Sequence, residues 1–313
     1  MNKRYIRQIE DGFPYPIAGT FVRLRTDECL DPGPLRLKYL LATGEAIVRL
    51  LAMVVLCECR EQRERDPDSP LSKGLSADFE KHFKRPAWGT WMQLTREGLK
   101  WLRAQQAVLT CPPLLAFWLD DASRETTAAE ALGRLLQLRN GLSHDRIQAM
   151  REHEFASLCE QAQGDLEPVL EALDFLLDYR LTFISQIEVR KRRRHTPNYW
   201  HRLKDISGPS DDFHGDRAHL SEVLDSQTIV FAPLEGEGRF LNLDPLLLYE
   251  EAAGKAPDIF FYNGMKHPHA AGYSACRHGG QFDSSASAHS TEIADELQAL
   301  LDLMTQPSVE VAA

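Results

Sequence analysis

At 313 residues, the chain is long enough for a substantial buried core and for two domains. Its 43% hydrophobic and 26% charged residues are those of an ordinary folded protein. The formal net charge of -10 excludes a protein that coats nucleic acid through bulk electrostatics, while leaving room for a local basic groove.

The first residues, MNKRYIRQIEDGFPYP, are basic but carry no apolar stretch of the signal-peptide kind. Phe13-Pro14-Tyr15-Pro16 argues against helix, so residues 1–34 are expected as an extended arm. Asp31-Pro32-Gly33-Pro34 then punctuates the chain before a long helix, about Leu35 to Arg63. Leu37, Leu40, Leu41, Ile47, Val48, Leu51, Val54 and Val55 give it a wide apolar face. Arg49 interrupts its longest apolar run, which is too short to span a membrane. Glu45 lies within that face, either as a rim residue or as the partner of a buried arginine. Residues 64–74 read as a loop. A helix from Trp91 to about Gln106 follows, with Trp88 and Trp91 as core anchors. Cys111-Pro112-Pro113 closes this unit, and a short helix, Leu114 to Asp120, comes next.

The stretch Thr127 to His144, TAAEALGRLLQLRNGLSH, is the most informative. Thr127 and Glu130 have the spacing of a capping box. Leu132, Leu135, Leu138 and Leu142 repeat at helical spacing as a buried stripe, and Leu136, Asn140 and His144 share a second face. Arg139 falls at the edge of the stripe, where a guanidinium is costly unless it meets an acid or a phosphate, and Glu45 is the nearest candidate acid. The helix is therefore expected to display Arg139, Asn140 and His144 into a polar cleft, with Gly141 in a crowded helix crossing.

Past His144 the pattern gives a helix over Arg151 to Gln163, a break at Gly164-Asp165, and a long helix carrying Leu166, Val169, Leu170, Leu173, Leu176, Leu177, Leu181, Ile184 and Ile187 to the basic run Arg190-Lys191-Arg192-Arg193-Arg194. Residues 196–226 read as a linker. Short extended runs follow at 228–234, 239–243, 258–262 and 271–276, separated by Gly and Pro signals. Residues 279–290 read as a flexible strip and 291–304 as a closing amphipathic helix, with a disordered end. The expected class is α+β. A 1–34 arm and a 35–195 helical bundle are joined by the 196–226 linker to a small, mostly antiparallel β domain over 227–280. Residues 281–313 form the tail.

Arg139-Asn140 followed by His144, late in a helix of an all-α bundle, resembles the HEPN superfamily of higher eukaryote and prokaryote nucleotide-binding domains, over about residues 35–190. Many members are metal-independent ribonucleases that act as dimers, with two such motifs facing each other across a cleft. By that resemblance His144 is the catalytic histidine, Arg139 the phosphate-binding arginine and Asn140 the polar residue beside it; Glu45 matches no motif position. The residue types suit the chemistry. Imidazole exchanges a proton near neutral pH, and guanidinium stabilises charge growing on phosphoryl oxygens. The resemblance thus implies a homodimer that cleaves single-stranded RNA or tRNA through its 2′-OH, without metal or cofactor, as a toxin or antiviral-defence effector held by a regulatory partner protein; the cysteine pattern and the absence of a signal-like or spanning run make the expected location cytoplasmic. Members without nuclease activity serve as modules that bind nucleic acid, nucleotide or protein. A purely structural reading makes Arg139 and His144 a salt-bridged, dipole-paired helix end.

Two further signals are weaker. Residues 186–205 hold seven Lys/Arg, including Arg190, Lys191, Arg192, Arg193, Arg194, Arg202 and Lys204, against two Asp/Glu. This patch either guides RNA phosphates or is a solvated helix end. His267-Pro268-His269 with Cys276 and His278 matches no zinc spacing, so no metal site is expected. The six cysteines, at 29, 57, 59, 111, 159 and 276, contain no CxxC pair and point to buried, reduced thiols.

Overall fold

The computed structural model describes residues 1–142, 150–210, 213–220, 223–235, 239–250, 257–267, 270–276 and 280–305. Helices fill the N-terminal half and antiparallel sheets the C-terminal half, an α+β arrangement.

The spine is α3, Pro34–Arg65. Residues 46–60 are buried on almost every side, beyond the one wide face its periodicity suggests, as a helix at the centre of a large core must be. By length and hydropathy α3 would also pass for a membrane span, which corrects the expectation that Arg49 cuts the run short. However, 83% of its apolar window is buried inside this fold. Arg49 is accommodated by Glu45 at 2.8 Å and by Ser274, which accepts a hydrogen bond at 2.5 Å.

The N-terminal arm is helical, not extended. Asn2 caps α1, Lys3–Gly12, by accepting from the Tyr5 N–H at 2.8 Å. Pro16 falls in the first turn of α2, Tyr15–Phe21, where no intrahelical N–H is needed. Pro14 thus starts a helix here; it does not forbid one. The chain around it bridges to the sheet, Tyr15 N donating to Ile206 O and Gly208 N to Phe13 O. The stretch expected as a loop gives way to α4, Lys73–His82, capped by Ser72 and anchored by buried Leu75, Phe79 and Phe83. Helices α5, Trp88–Ala104, and α6, Pro113–Trp118, stand close to their expected places.

Helix α7 covers Thr127–Asn140 and α8 Glu152–Ala172. Gly164-Asp165 does not break α8. Asp165 is buried and accepts from Arg134 of α7 at 2.7 Å, and Ala162, Leu166, Val169 and Leu170 are all buried on the packed face, so tertiary contact overrides the local signal. Asp165 is accordingly not a cap, and Pro168 sits inside the helix rather than in a first turn.

The largest correction concerns residues 179–190, expected as helix. Helix α8 ends at Ala172, and after a 3-10 turn the chain enters β1, Tyr179–Arg190. Leu181, Ile184 and Ile187 fit a helical spacing, but Tyr179, Thr182, Phe183, Ile184, Ile187 and Val189 make this a β-branched and aromatic segment suited to a pleated surface. The expected linker is likewise sheet, supplying β2, Asn198–Asp205, and β3, Gly215–Leu220. With β4, Thr228–Pro233, and β5, Leu241–Asn242, these form a five-stranded antiparallel sheet of order β3-β2-β1-β4-β5. A second antiparallel sheet runs β6-β7-β8-β9, with β6 Leu247–Glu250, β7 Asp258–His267, β8 Ala270–Ala275 and β9 Gln281–Asp283. Strand β9 and a 3-10 turn replace part of the expected flexible strip. Helix α9, Ser290–Thr305, closes the fold as expected, burying Ile293, Leu297, Leu300 and Met304. The expected disordered end lies outside the described residues.

Close helix approach is described at two glycines other than Gly141. A Cβ on Gly98 of α5 would lie 2.8 Å from Val55 and 3.2 Å from Cys59 on α3, and one on Gly44 would meet Leu135 and Trp88. Gly98→Ala is therefore expected to lower the unfolding free energy by about 1–3 kcal/mol through overpacking. Gly164→Ala, in the exposed interior of α8 where nothing lies within 4 Å of an added Cβ, is expected instead to raise it by up to about 1 kcal/mol. Urea unfolding midpoints of the two variants measure the difference, and equal midpoints would contradict this packing.

Candidate active site

The start of α7 is fixed by Thr126, not Thr127. Its hydroxyl accepts from Ala129 N at 3.3 Å and donates to Phe117 O, tying α7 to the end of α6. Ala128, Ala129, Ala131, Leu132 and Leu135 are buried, which orients the helix. Leu138 and Leu142 are only half-buried, so the apolar stripe thins toward the C-terminus. The helix ends at Asn140, and Gly141 caps it with its N–H on Gln137 O and Arg139 O. Gly141 is exposed and stands at the helix end rather than in a crossing. His144 lies outside the described residues.

Arg139 emerges from the last turn with 47% of its side chain exposed. Its Nε is 3.9 Å from Glu45 Oε2, so the expected Arg139–Glu45 pairing is present but long. The better partner of Glu45 is Arg49, at 2.8 Å on the same helix. Arg49 in turn donates to Ser274 of β8 and lies over the Phe261 ring of β7 at 5.9 Å. Glu45 is thus a rim carboxylate committed to an (i, i+4) partner, not the mate of a buried guanidinium. An exposed ion pair at 3.9 Å is worth at most about 1 kcal/mol, so the one described carboxylate near Arg139 satisfies little of its guanidinium. Asn140 is exposed beside it.

Between the start of α3, the end of α7 and the start of α8 runs a groove of about 350 Å³. Leu37, Leu41, Leu142 and Phe155 form its floor, while Arg139, Glu45 and Lys38 stand at its rim. Among the described residues, the expected polar cleft is therefore apolar at the bottom and charged at the edge. A phosphodiester can meet cations at such an edge while a base or a second polypeptide covers the floor.

The basic run has a different setting from the one expected. Arg190 ends β1, paired with Asn198 of β2, and Lys191, Arg192, Arg193 and Arg194 are exposed in the connection between the two strands. It is the tip of an antiparallel ribbon, not a helix end. The structure does not join it to the Arg139 groove: the two groups stand on separate elements, and no ion pair or hydrogen bond links them among the described residues. Of the histidine-rich strip, Pro268, His269 and His278 lie outside the described residues. Among the described residues no group of three His, Cys, Asp or Glu side chains converges as metal ligands would. The six cysteines are free, and five are buried.

Sequence reading missed two carboxylates whose acidity burial weakens most among the described residues. Glu58, 4% exposed on α3, accepts from the N–H groups of Thr110 and Cys111 at 2.6 and 3.3 Å, and burial pushes its carboxyl up to about 7. Burial likewise raises Asp244 to about 7, opposed in part by Arg60, which donates to the carbonyls of Asp244 and Asn242 and so ties α3 to the sheets. Glu58 holds a loop to the central helix.

Its effect on stability has a definite sign. Unfolded Glu58 loses its proton near 4.5 and folded Glu58 near 7, so between these values the folded chain binds more protons and its stability falls as pH rises. Glu58→Gln keeps an acceptor oxygen and cannot titrate. It is expected to remove on the order of 1–3 kcal/mol of that fall. Urea titrations across this range test it, and a variant with the wild-type pH slope would contradict the assignment.

Comparison of the chain with models of known protein families, with curated proteins and with solved structures finds no match.

Proposed function

We propose that this chain is a metal-independent endoribonuclease with a HEPN-like helical bundle, working as a cytoplasmic homodimer in a toxin or defence role. The observation that carries the reading is Arg139. It is a half-exposed guanidinium at the end of a well-packed helix, on a groove rim, with its one described carboxylate neighbour engaged elsewhere. His144 follows five residues on. In the proposed reaction His144 takes the proton of a ribose 2′-OH, whose oxygen attacks the adjacent phosphorus. The bond from phosphorus to the 5′-oxygen breaks, giving a 2′,3′-cyclic phosphate and a 5′-hydroxyl after that oxygen gains a proton. Arg139 stabilises the charge that grows on the phosphoryl oxygens, and Asn140 orients the phosphate or the imidazole. The apolar floor beside Arg139 suits a second copy of the chain, which supplies the second motif of a composite site.

The rival reading is a non-catalytic module that binds nucleic acid, and the exposed basic tip at 190–194 favours it, because such a tip needs no catalysis to be useful. Labelled single-stranded RNA and total tRNA incubated with purified protein in EDTA separate the two. Cleavage supports the nuclease, whereas intact RNA together with retained binding supports the module.

A further inference from the structure

We propose that the exposed face of β1, β2 and β3 is a docking platform for single-stranded nucleic acid, and specifically for the RNA that the chain cleaves. The inference rests on the ribonuclease reading for the identity of the polymer, but its geometry is independent of the Arg139 groove.

Strand register puts the relevant residues on one face. Glu188 pairs with Trp200, which pairs with His219; Arg190 pairs with Asn198, and Arg202 with Arg217. Residues two apart on a strand share a face, so Arg190, Arg202 and Arg217 surround Glu188 and Trp200 on the same side. All three guanidiniums converge on the one carboxylate: Arg217 at 2.5 Å, Arg202 at 3.2 Å and Arg190 at 3.9 Å. They remain 41%, 58% and 63% exposed. One carboxylate cannot neutralise three guanidiniums, so the face carries a surplus of positive charge held in a fixed arrangement. The exposed tip Lys191–Arg194 extends that surplus beyond the strands. In a chain of net charge -10, such a concentration is the place where a polyanion would settle.

The centre of the face discriminates between polyanions. The Arg217 guanidinium lies over the Trp200 ring at 4.8 Å, and His219 meets that ring edge-on at 5.4 Å. Flat aromatic and guanidinium surfaces on a sheet stack unpaired bases, while the bases of a duplex are already stacked on one another and out of reach. Phosphates would lie on Arg190, Arg202 and the tip, and a base on the Trp200–Arg217 surface. Glu188 organises the arginines and also competes with the phosphate.

The test uses the full chain carrying His144→Ala, so that RNA stays intact during the measurement. Fluorescence anisotropy is read with labelled single-stranded RNA, single-stranded DNA and duplex RNA of the same mixed sequence. Trp200→Ala is expected to weaken single-strand binding about tenfold. Arg202→Ala with Arg217→Ala is expected to flatten the dependence of log affinity on log salt by about one for each phosphate left without its cation. Glu188→Gln is expected to tighten binding. Arg192→Glu with Arg193→Glu, in the exposed connection, is expected to weaken binding without disturbing the strands, which circular dichroism verifies. Tighter binding to either single strand than to the duplex supports the platform, and equal affinity for RNA and DNA would place the selection of RNA at the cleavage step. Wild-type affinity in both the Arg202/Arg217 and the Arg192/Arg193 variants would overturn the proposal, as would a preference for duplex that Trp200→Ala leaves unchanged. Absence of cleavage by the unmodified chain would count against the ribonuclease reading alone, because these affinities are measured without turnover.

Discussion

His144→Ala is expected to reduce RNA cleavage by about 10²–10⁴-fold, the usual contribution of a positioned general base. The 2′-OH is a poor nucleophile until its proton is removed, and imidazole is the one side chain whose ordinary acidity suits that transfer near neutral pH. The loss should appear in kcat rather than in RNA affinity, because the basic sheet face that we assign to binding is untouched. His153→Ala provides the control, since His153 stands exposed in the first turn of α8 and takes no part in the proposed chemistry. Rates from single-turnover assays at saturating protein measure the effect. Equal loss in both variants would point to general damage of the bundle, and equal retention would remove His144 from the mechanism.

Arg139→Ala should cost about 10²–10³-fold, the scale seen when one donor to a developing oxyanion is removed. Lysine should restore only part of it, because an ammonium lacks the planar pair of N–H groups that grips two phosphoryl oxygens. Glu45→Gln is the informative companion. With Glu45 at 2.8 Å from Arg49 and 3.9 Å from Arg139, its removal should change cleavage by less than about fivefold, the worth of a surface ion pair. A loss from Glu45→Gln as large as that from Arg139→Ala would mean that the carboxylate acts directly in the site. Both variants leave the buried stripe of α7 intact, so their folding can be checked by thermal melting before rates are compared.

The parts of the fold that were legible are those where local signal and tertiary packing agree. Helix α3 is announced by its apolar run, α7 by leucines at helical spacing, though its cap is Thr126 and not Thr127, and β4, β7 and β8 by short apolar runs between turn residues. The failures have physical causes. Pro14 and Pro16 read as helix breakers because proline is tolerated in one helical turn only, and the sequence does not say which turn it occupies. Gly164-Asp165 reads as a break because the buried partner of Asp165, Arg134, lies on another helix. Leu181, Ile184 and Ile187 fit both a helix and a strand, and the choice is made by pairing with β2 and β4, which no local window contains. That last error also hid part of the surface that we propose for single-stranded RNA. With 179–190 taken as helix, Glu188, Trp200 and Arg217 could not be brought to one face, although the basic residues themselves were in view. At the Arg139 groove, the arginine and its neighbourhood with Glu45 were legible, but the stronger claim of Arg49 on that carboxylate was not, because Ser274 and Phe261, which fix Arg49, come from distant strands.

The central claim is that Arg139 and His144 make RNA its own nucleophile. The most direct measurement is the chemistry of the ends produced when purified protein and labelled single-stranded RNA are incubated in EDTA. Fragments should carry a 2′,3′-cyclic phosphate on one side of the break and a 5′-hydroxyl on the other, and they should be absent with folded Arg139→Ala and His144→Ala. Fragments bearing a 5′-phosphate and a 3′-hydroxyl, or cleavage undiminished in both variants, would contradict it.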